Sequence, residues 1–195
     1  MNKNDGGMIM ERIRRWLHVG EHRMLFWANR RSLNASINMW LGRWLGLVTH
    51  MGGATFTLAT SMLLGLFAPQ PWSTAGWQSL VAVALSHIPV AIVKRNFKRL
   101  RPYQALEKVN IGRKPLVDPS FPSGHTTAFF AWMMPLFMAK AELIPLLLPF
   151  VIVFGMSVAW SRMYLGLHYP SDVIAGGLLG SLTAFGVSFI GWLQI

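Results

Sequence analysis

The 195-residue chain contains no cysteine. Disulfides, thiolate nucleophiles and Cys-ligated zinc or iron–sulfur centres are therefore excluded. It is also poor in charge: Asp, Glu, Lys and Arg together make up 13% of the residues, roughly half of what a soluble domain carries. Acidic residues are scarcer still, 7 against 18 Lys and Arg. The formal charge of +11 points to an anionic partner, and the placement of the cations decides whether that is nucleic acid, lipid or a phosphorylated substrate. The chain has no zinc-finger spacing, glycine-rich nucleotide loop or internal repeat, so a nucleic-acid partner finds no support.

What the chain has is apolar length. From Leu45 to Val93 there is no charged residue over 49 positions, when about 20 suffice to cross the hydrocarbon core as a helix. Pro69-Gln70-Pro71 divides this run, because proline interrupts the helical ladder, and predicts spans near 45–67 and 72–93. Three further uncharged runs, Pro119 to Ala139, Leu143 to Ser161 and Val173 to Ile195, bring the count to five. The expected fold is all-α: a polytopic membrane helical bundle of about five transmembrane helices, since helices satisfy their own backbone groups in lipid.

Residues 1–40 are too charged to cross. Ile9, Ile13, Trp16 and Leu17 recur at helical spacing opposite Arg12, Arg14 and Arg15, which predicts an amphipathic helix in the membrane interface. The expected organisation is a basic N-terminal segment over 1–40 and a transmembrane domain over 41–195. Eight Lys/Arg lie between Lys3 and Arg43, eight between Lys94 and Lys114, and Arg162 follows the fourth span, leaving only Lys140 on the opposite side. The positive-inside rule then places the N-terminus and the crowded face in the cytoplasm.

Three polar clusters interrupt the apolar pattern at that face. The first is Lys94-Arg95-Asn96-Phe97-Lys98-Arg99-Leu100-Arg101-Pro102. If the second span continues past Val93, Lys94 and Arg101 share one helix face two turns apart and converge on one anion, although Pro102 favours a non-helical Arg101. Taken alone, the run reads as a flank meeting headgroups. The second cluster, Pro122-Ser123-Gly124-His125, opens the third span. A helix N-terminus with free amides, a glycine that admits close approach and a hydroxyl donor are the parts of a phosphate cradle, and His125 adds a proton donor or acceptor. The third runs from Ser161 to Asp172. Arg162 offers a planar fork to phosphate oxygens, and Asp172, four residues past His168, is placed to accept the imidazole Nδ1 proton and free the other nitrogen as a nucleophile. Together the clusters suit phosphoryl transfer. One carboxylate and two histidines among cations make a poor divalent site, so no metal or other cofactor is expected.

The three clusters resemble the motif of the type 2 phosphatidic acid phosphatase superfamily, integral-membrane lipid phosphatases related to vanadium haloperoxidases and bacterial acid phosphatases. That motif is Lys, six residues, Arg-Pro; Pro-Ser-Gly-His; then Ser-Arg, five residues, His, three residues, Asp. Lys94, Arg101 and Pro102, then Pro122 to His125, then Ser161, Arg162, His168 and Asp172 match it throughout, and the resemblance covers roughly residues 40–195. It implies a metal-independent phosphatase acting on a lipid phosphate such as phosphatidic acid, phosphatidylglycerophosphate or undecaprenyl pyrophosphate. His168 would form a phosphohistidine, Asp172 would orient it, and His125 would protonate the leaving oxygen. Lys94, Arg101, Ser123, Gly124 and Arg162 would hold the phosphoryl oxygens. Many bacterial members have six spans and an outward-facing site, whereas five spans here turn the site to the cytoplasm. Phosphoryl transfer to a second lipid would use the same residues. A non-catalytic protein binding or moving anionic lipid would need only the cations. Oligomeric state is not legible.

Elsewhere, His50 and His87 are expected to hydrogen-bond neighbouring helices. The nine Trp and twelve Met read as packing and interfacial anchors. Gly176, Gly177 and Gly180 are expected to permit close helix packing.

Overall fold

The computed structural model describes residues 16, 18–30, 34–111 and 115–192. Among them every regular element is helical. In chain order these are α1 over 18–29, then α2 Ala35–Val48, a 3₁₀ turn at Thr49–Gly52, α3 Ala54–Phe67 and α4 Trp72–Asn96. A one-turn helix α5 at Pro102–Ala105 follows, then α6 Gly124–Met138, α7 Ile144–Tyr164 and α8 Pro170–Trp192. The interfacial helix expected from Ile9 to Leu17 falls almost wholly outside the described residues; Trp16 is helical and exposed.

Among the described residues three helices are long and apolar enough to cross a membrane, Trp72–Asn96, Ala141–Tyr164 and Pro170–Ile190, and a fourth span arises if the pair around Gly53 counts as one. The chain is a multi-pass membrane protein. The straight span expected over 45–67 does not form: its two halves meet at 58°. Close packing explains the break, since a Cβ on Gly52 would lie 2.5 Å from the His125 carbonyl oxygen. The 3₁₀ turn is thus pressed against the start of α6, and the chain must bend there. α6, expected within the third apolar run, has only 15 residues, about 22 Å at 1.5 Å per residue.

The packing pattern is that of a bundle in lipid. On α8 the exposed Ile174, Leu178, Leu182, Phe185 and Phe189 form a stripe at helical spacing, while α3 and α4 bury small residues such as Thr57, Ser61, Ser79, Ala82 and Ser86. Apolar chains gain nothing by leaving lipid, so such helices associate through small residues and interhelical hydrogen bonds. Ser79 Oγ donates to the Trp132 carbonyl at 2.7 Å, tying α4 to α6. α6 is the central helix, with eight buried positions including Phe129, Trp132 and Leu136. α8 approaches it through Gly176 and Gly180, whose missing side chains admit the Ser123 and Thr127 carbonyls. At Gly177 a Cβ would sit at ordinary contact distance, 3.5 Å from the Phe130 ring.

The segment ahead of residue 40 is partly built into this bundle. The Asn29 side chain donates to the carbonyls of Asn110 and Tyr164 at 2.9 and 2.8 Å, and Trp160 Nε1 donates to the Ala28 carbonyl. α2 also runs unbroken across the expected boundary at 40/41. His87 bonds within its own helix, its Nδ1 being 2.8 Å from the Val83 carbonyl, rather than to a neighbour.

Candidate active site

The ends of α4 and α7 and the starts of α6 and α8 meet at one end of the bundle. α4 carries Lys94 in its last turn and stops at Asn96. Arg101 is extended, at φ −73° and ψ 154°, as the residue before a proline is expected to be. The two cations therefore do not stack on one helix face. They meet instead on Asp118, a residue the sequence reading passed over: Lys94 Nζ lies 2.5 Å from Oδ2 and Arg101 Nη2 lies 2.9 Å from Oδ1. Arg101 Nε also donates to the Asp118 carbonyl, and Nη1 to the Leu167 carbonyl, each at 2.8 Å. Burial works to raise the Asp118 carboxyl, but the hydrogen bond and charge of Lys94, and then Arg101, outweigh it and hold the group below its ordinary value.

Ser123 caps α6: the Thr126 amide donates to its Oγ at 3.4 Å, a standard N-cap contact. Its own amide donates to the Asp172 carbonyl at 3.0 Å, fastening the starts of α6 and α8 together. Beyond Gly124 a Cβ would meet nothing within 4 Å. The first turn of α6 therefore opens onto free space, where unpaired amides of a helix start favour an anion. His125 stands one residue further on, within the fields of Arg162, His168, Lys94 and His50.

At the end of α7 the chain doubles back. The amides of Leu167 and His168 both donate to the Arg162 carbonyl, at 3.0 and 3.2 Å. Gly166 permits this by taking φ +67°, and a Cβ there would strike Val109 Cγ1 at 2.6 Å. The turn delivers a buried His168, 1% exposed, beside a buried Arg162, 3% exposed. Arg162 Nη1 donates to Thr49 Oγ1 at 2.9 Å, which gives the bend between α2 and α3 its place in the site. Its Nε and Nη2 are buried with no partner among the described residues.

Arg101 Nη1 is 3.1 Å from His168 Nε2. A guanidinium only donates, so Nε2 is the proton-free nitrogen and Nδ1 carries the hydrogen. Burial, followed by the charges of Arg162, Arg101 and Lys94, pushes the imidazole well below its ordinary pKa, leaving it neutral near pH 7. Nδ1 lies 3.5 Å from Asp172 Oδ2, longer than a formed hydrogen bond. Asp172 is instead held by the Tyr169 amide on Oδ2 and by Arg99 Nη1 on Oδ1, both at 2.8 Å.

All eight residues singled out from the sequence are thus gathered at one end of the bundle. Asp118, Arg99 and Thr49 join them.

Residues 75–194 match the model of the PAP2 superfamily. The chain belongs to that superfamily. Among similar PAP2 proteins, a decaprenylphosphoryl-5-phosphoribose phosphatase of Mycobacterium tuberculosis is 34% identical over 74% of this chain and 77% of its own. Phosphatidylglycerophosphatase B of Bacillus subtilis is 29% identical over 75% and 73%. The chain spans about half, 53%, of the Bacillus licheniformis bacitracin transport permease protein BcrC, at 35% identity over 58% of its own length. The PAP2 fold is shared with the crystal structure of Aquifex aeolicus LpxE, at TM-score 0.72 and 22% identity over 86% of this chain and 93% of that one.

Proposed function

We propose that this PAP2 protein is a membrane-embedded phosphatase that removes phosphate from a lipid phosphomonoester or lipid diphosphate through a phosphohistidine on His168. The observation that carries the reading is the pair of buried, unpartnered donors on Arg162. An unsatisfied buried donor costs about 1–3 kcal/mol, and a fork of two such donors beside a neutral imidazole fits two oxygens of a tetrahedral anion. The names of similar proteins support the substrate class: a decaprenylphosphoryl-phosphoribose phosphatase, an undecaprenyl-diphosphatase and a phosphatidylglycerophosphatase.

The chemistry starts from the proton-free Nε2 of His168 and requires His125 to enter the step as its imidazolium, a form that the negative charge of a bound phosphate favours. The Nε2 lone pair of His168 attacks phosphorus as the bond to the lipid oxygen breaks, and His125 gives its proton to that oxygen. The ring, now bonded to phosphorus and protonated at Nδ1, is cationic, and the Asp172 carboxylate on its Nδ1 side stabilises it. Lys94, Arg101, Arg162, Ser123 and the Gly124 amide receive the charge that builds on the phosphoryl oxygens. Water then attacks phosphorus, gives a proton to His125, and restores Nε2 as phosphate leaves. For this to begin, the phosphoryl group must enter between Arg101 and His168, whose 3.1 Å contact occupies the attacking nitrogen.

We take the bundle to have five spans, with α3 and α6 as its short members; of the N-terminal segment expected at the interface, α1 turns its exposed apolar side chains that way while Leu25 and Asn29 pack into the bundle. With 17 of the 18 basic residues on the side of the site, the site faces the cytoplasm. The test of function is a panel of phosphatidic acid, phosphatidylglycerophosphate and undecaprenyl pyrophosphate, assayed for inorganic phosphate with wild type and His168→Ala in chelator. Wild-type turnover of one lipid and none in the variant is expected; equal turnover removes His168 as nucleophile. Labelling a cysteine introduced near Arg113 from either side of the membrane tests the orientation.

A further inference from the structure

On the Nδ1 side of His168, across the ring from the Arg101 contact with Nε2, Asp172 is joined by polar groups that the mechanism above does not use. Arg99 follows α4 in a run of cations that reads from the sequence as a headgroup flank. Its guanidinium is turned inward: Nη1 donates to Asp172 Oδ1 and to Ser171 Oγ, each at 2.8 Å, and Nη2 donates to Glu21 Oε2 at 2.7 Å. The same guanidinium lies over the Tyr169 ring, 3.9 Å from its centroid, a favourable stack for arginine. Glu21 comes from α1, and its other oxygen accepts from the Ser171 hydroxyl and from the Ser171 amide. One guanidinium is therefore shared between the carboxylate beside the nucleophile and a carboxylate on the helix that precedes the bundle.

We infer that Arg99 and Glu21 are positioning residues for the phosphatase reaction: Arg99 fixes the Asp172 carboxylate against His168, and Glu21, from α1, fixes Arg99 and the first turn of α8. The inference rests on the functional reading given above. Asp172 touches His168 only at 3.5 Å, so its position depends on its other partners, and the Tyr169 amide and Arg99 are the two that supply hydrogen bonds at 2.8 Å. The Tyr169 amide fixes one oxygen and Arg99 the other, with the Ser120 side chain as a further partner, and of these only Arg99 neutralises the charge. α1 exposes Val19, Met24, Phe26 and Trp27, an apolar surface suited to the membrane interface. The helix that carries Glu21 thereby links the seating of the N-terminal segment to the geometry of the nucleophile.

The consequence for pH follows from the charges around His168. Arg101 and Lys94 approach it from the α4 side and Arg162 from α7; His125 faces it from α6 and Asp172 from α8. Around Arg99 the further ionisable groups are Glu21 and His22 of α1 and the Tyr169 phenol. Replacing Arg99 by a neutral residue leaves Asp172 uncompensated beside Nδ1. That stabilises the imidazolium and raises the pKa of His168. Replacing Glu21 by Gln does the reverse or nothing, because Arg99 then serves Asp172 alone.

The experiment compares wild type, Arg99→Gln, Arg99→Lys and Glu21→Gln in detergent, using whichever lipid phosphate the wild type turns over. For Arg99→Gln the expected result is a kcat about 10–100-fold lower, the size found for carboxylates and other groups that orient histidines in metal sites. KM and inhibition by inorganic phosphate stay unchanged, and the acid limb of kcat/KM moves to higher pH. Arg99→Lys, which keeps the charge without the fork, loses kcat but keeps the acid limb. Glu21→Gln loses several-fold in kcat without an upward shift of the limb. Equal loss at every pH for Arg99→Gln, or a raised KM with unchanged kcat in any of the three, overturns the positioning role. A wild type with no turnover of any lipid phosphate overturns the functional reading instead. In that event ¹⁵N NMR titration of His168 decides the present inference: its pKa rises in Arg99→Gln if the inference holds and stays put if it does not.

Discussion

Arg101 and Arg162 flank the same imidazole, and both are almost wholly buried, at 1% and 3% exposure, yet their hydrogen bonding is opposite. Arg101 spends its donors on the protein: two carbonyls, the Asp118 carboxylate and His168 Nε2. Arg162 spends one on Thr49 and leaves two facing the site. The pair shows a division of labour that sequence motifs conceal, since each is simply a motif arginine. One braces the loop that holds Asp118 against the turn that holds His168. The other is kept unsatisfied at a cost to stability, which is the signature of a group waiting for a ligand.

Substitutions that treat the two arginines alike sharpen the contrast. Arg162→Met is expected to lower kcat/KM for phosphate release by about 10²–10³-fold, the effect of removing a preorganised donor from developing charge. Its melting temperature in detergent should not fall, because an apolar side chain replaces two unpaired donors. Arg101→Met also loses activity but in addition strips the Leu167 and Asp118 carbonyls of a donor. It should destabilise the protein by about 2–6 kcal/mol, at 1–3 kcal/mol for each of the two groups left bare, read as an earlier unfolding midpoint. If Arg162→Met is the less stable of the two, the distinction drawn here is wrong. Smaller again is Gly52→Ala, which must displace the His125 carbonyl, 2.5 Å away. Overpacking against backbone costs about 1–3 kcal/mol, and with His125 shifted kcat falls while inhibition by inorganic phosphate persists.

The same contrast marks what could be read from the sequence. Ser123, His125, Arg162, His168 and Asp172 were legible because polar groups of complementary chemistry stand in or beside otherwise uncharged runs, where each demands an explanation; Lys94 and Arg101 stood out from their run of cations only beside the other two clusters. The spans α4, α7 and α8 were legible for the same reason in reverse. Thr49 and the break at Gly53 were not: the residues on both sides are equally apolar, and only a contact with α6, distant in sequence, bends the chain there. Asp118 was overlooked as a single acid near the end of a basic connection, although an isolated carboxylate among cations is a signal that could have been used. Arg99 was hidden by its neighbours Arg95, Lys98 and Arg101, since a run of cations at a membrane edge has an adequate explanation in headgroups. Glu21 is 150 positions from Ser171, and no local pattern ties the two together.

The smallest effect concerns pH and tests whether the two arginines and Lys94 act on His168 by charge. Burial, then Arg162, Arg101 and Lys94 in that order, depress its pKa well below 6.5. The reactive ring is the neutral one, so kcat/KM should be flat with respect to this group from pH 8 down past 6.5, its acid limb appearing only below that. The linked stability has a definite sign. Below pH 6.5 the unfolded chain takes up a proton at residue 168 that the folded chain refuses, so unfolding becomes easier as pH falls from 6.5 towards the lowered folded value, and above 6.5 the group contributes no slope. Asp118, held below its ordinary value of 3.8, contributes stability above that pH, which is lost as pH falls through its folded value. Lys94→Gln removes the weakest of the three charges on the imidazole and should move the acid limb upward. A limb that sits at 6.5 in the wild type, or one that Lys94→Gln moves downward, would mean that the cations around His168 are screened from it and serve only the phosphoryl oxygens.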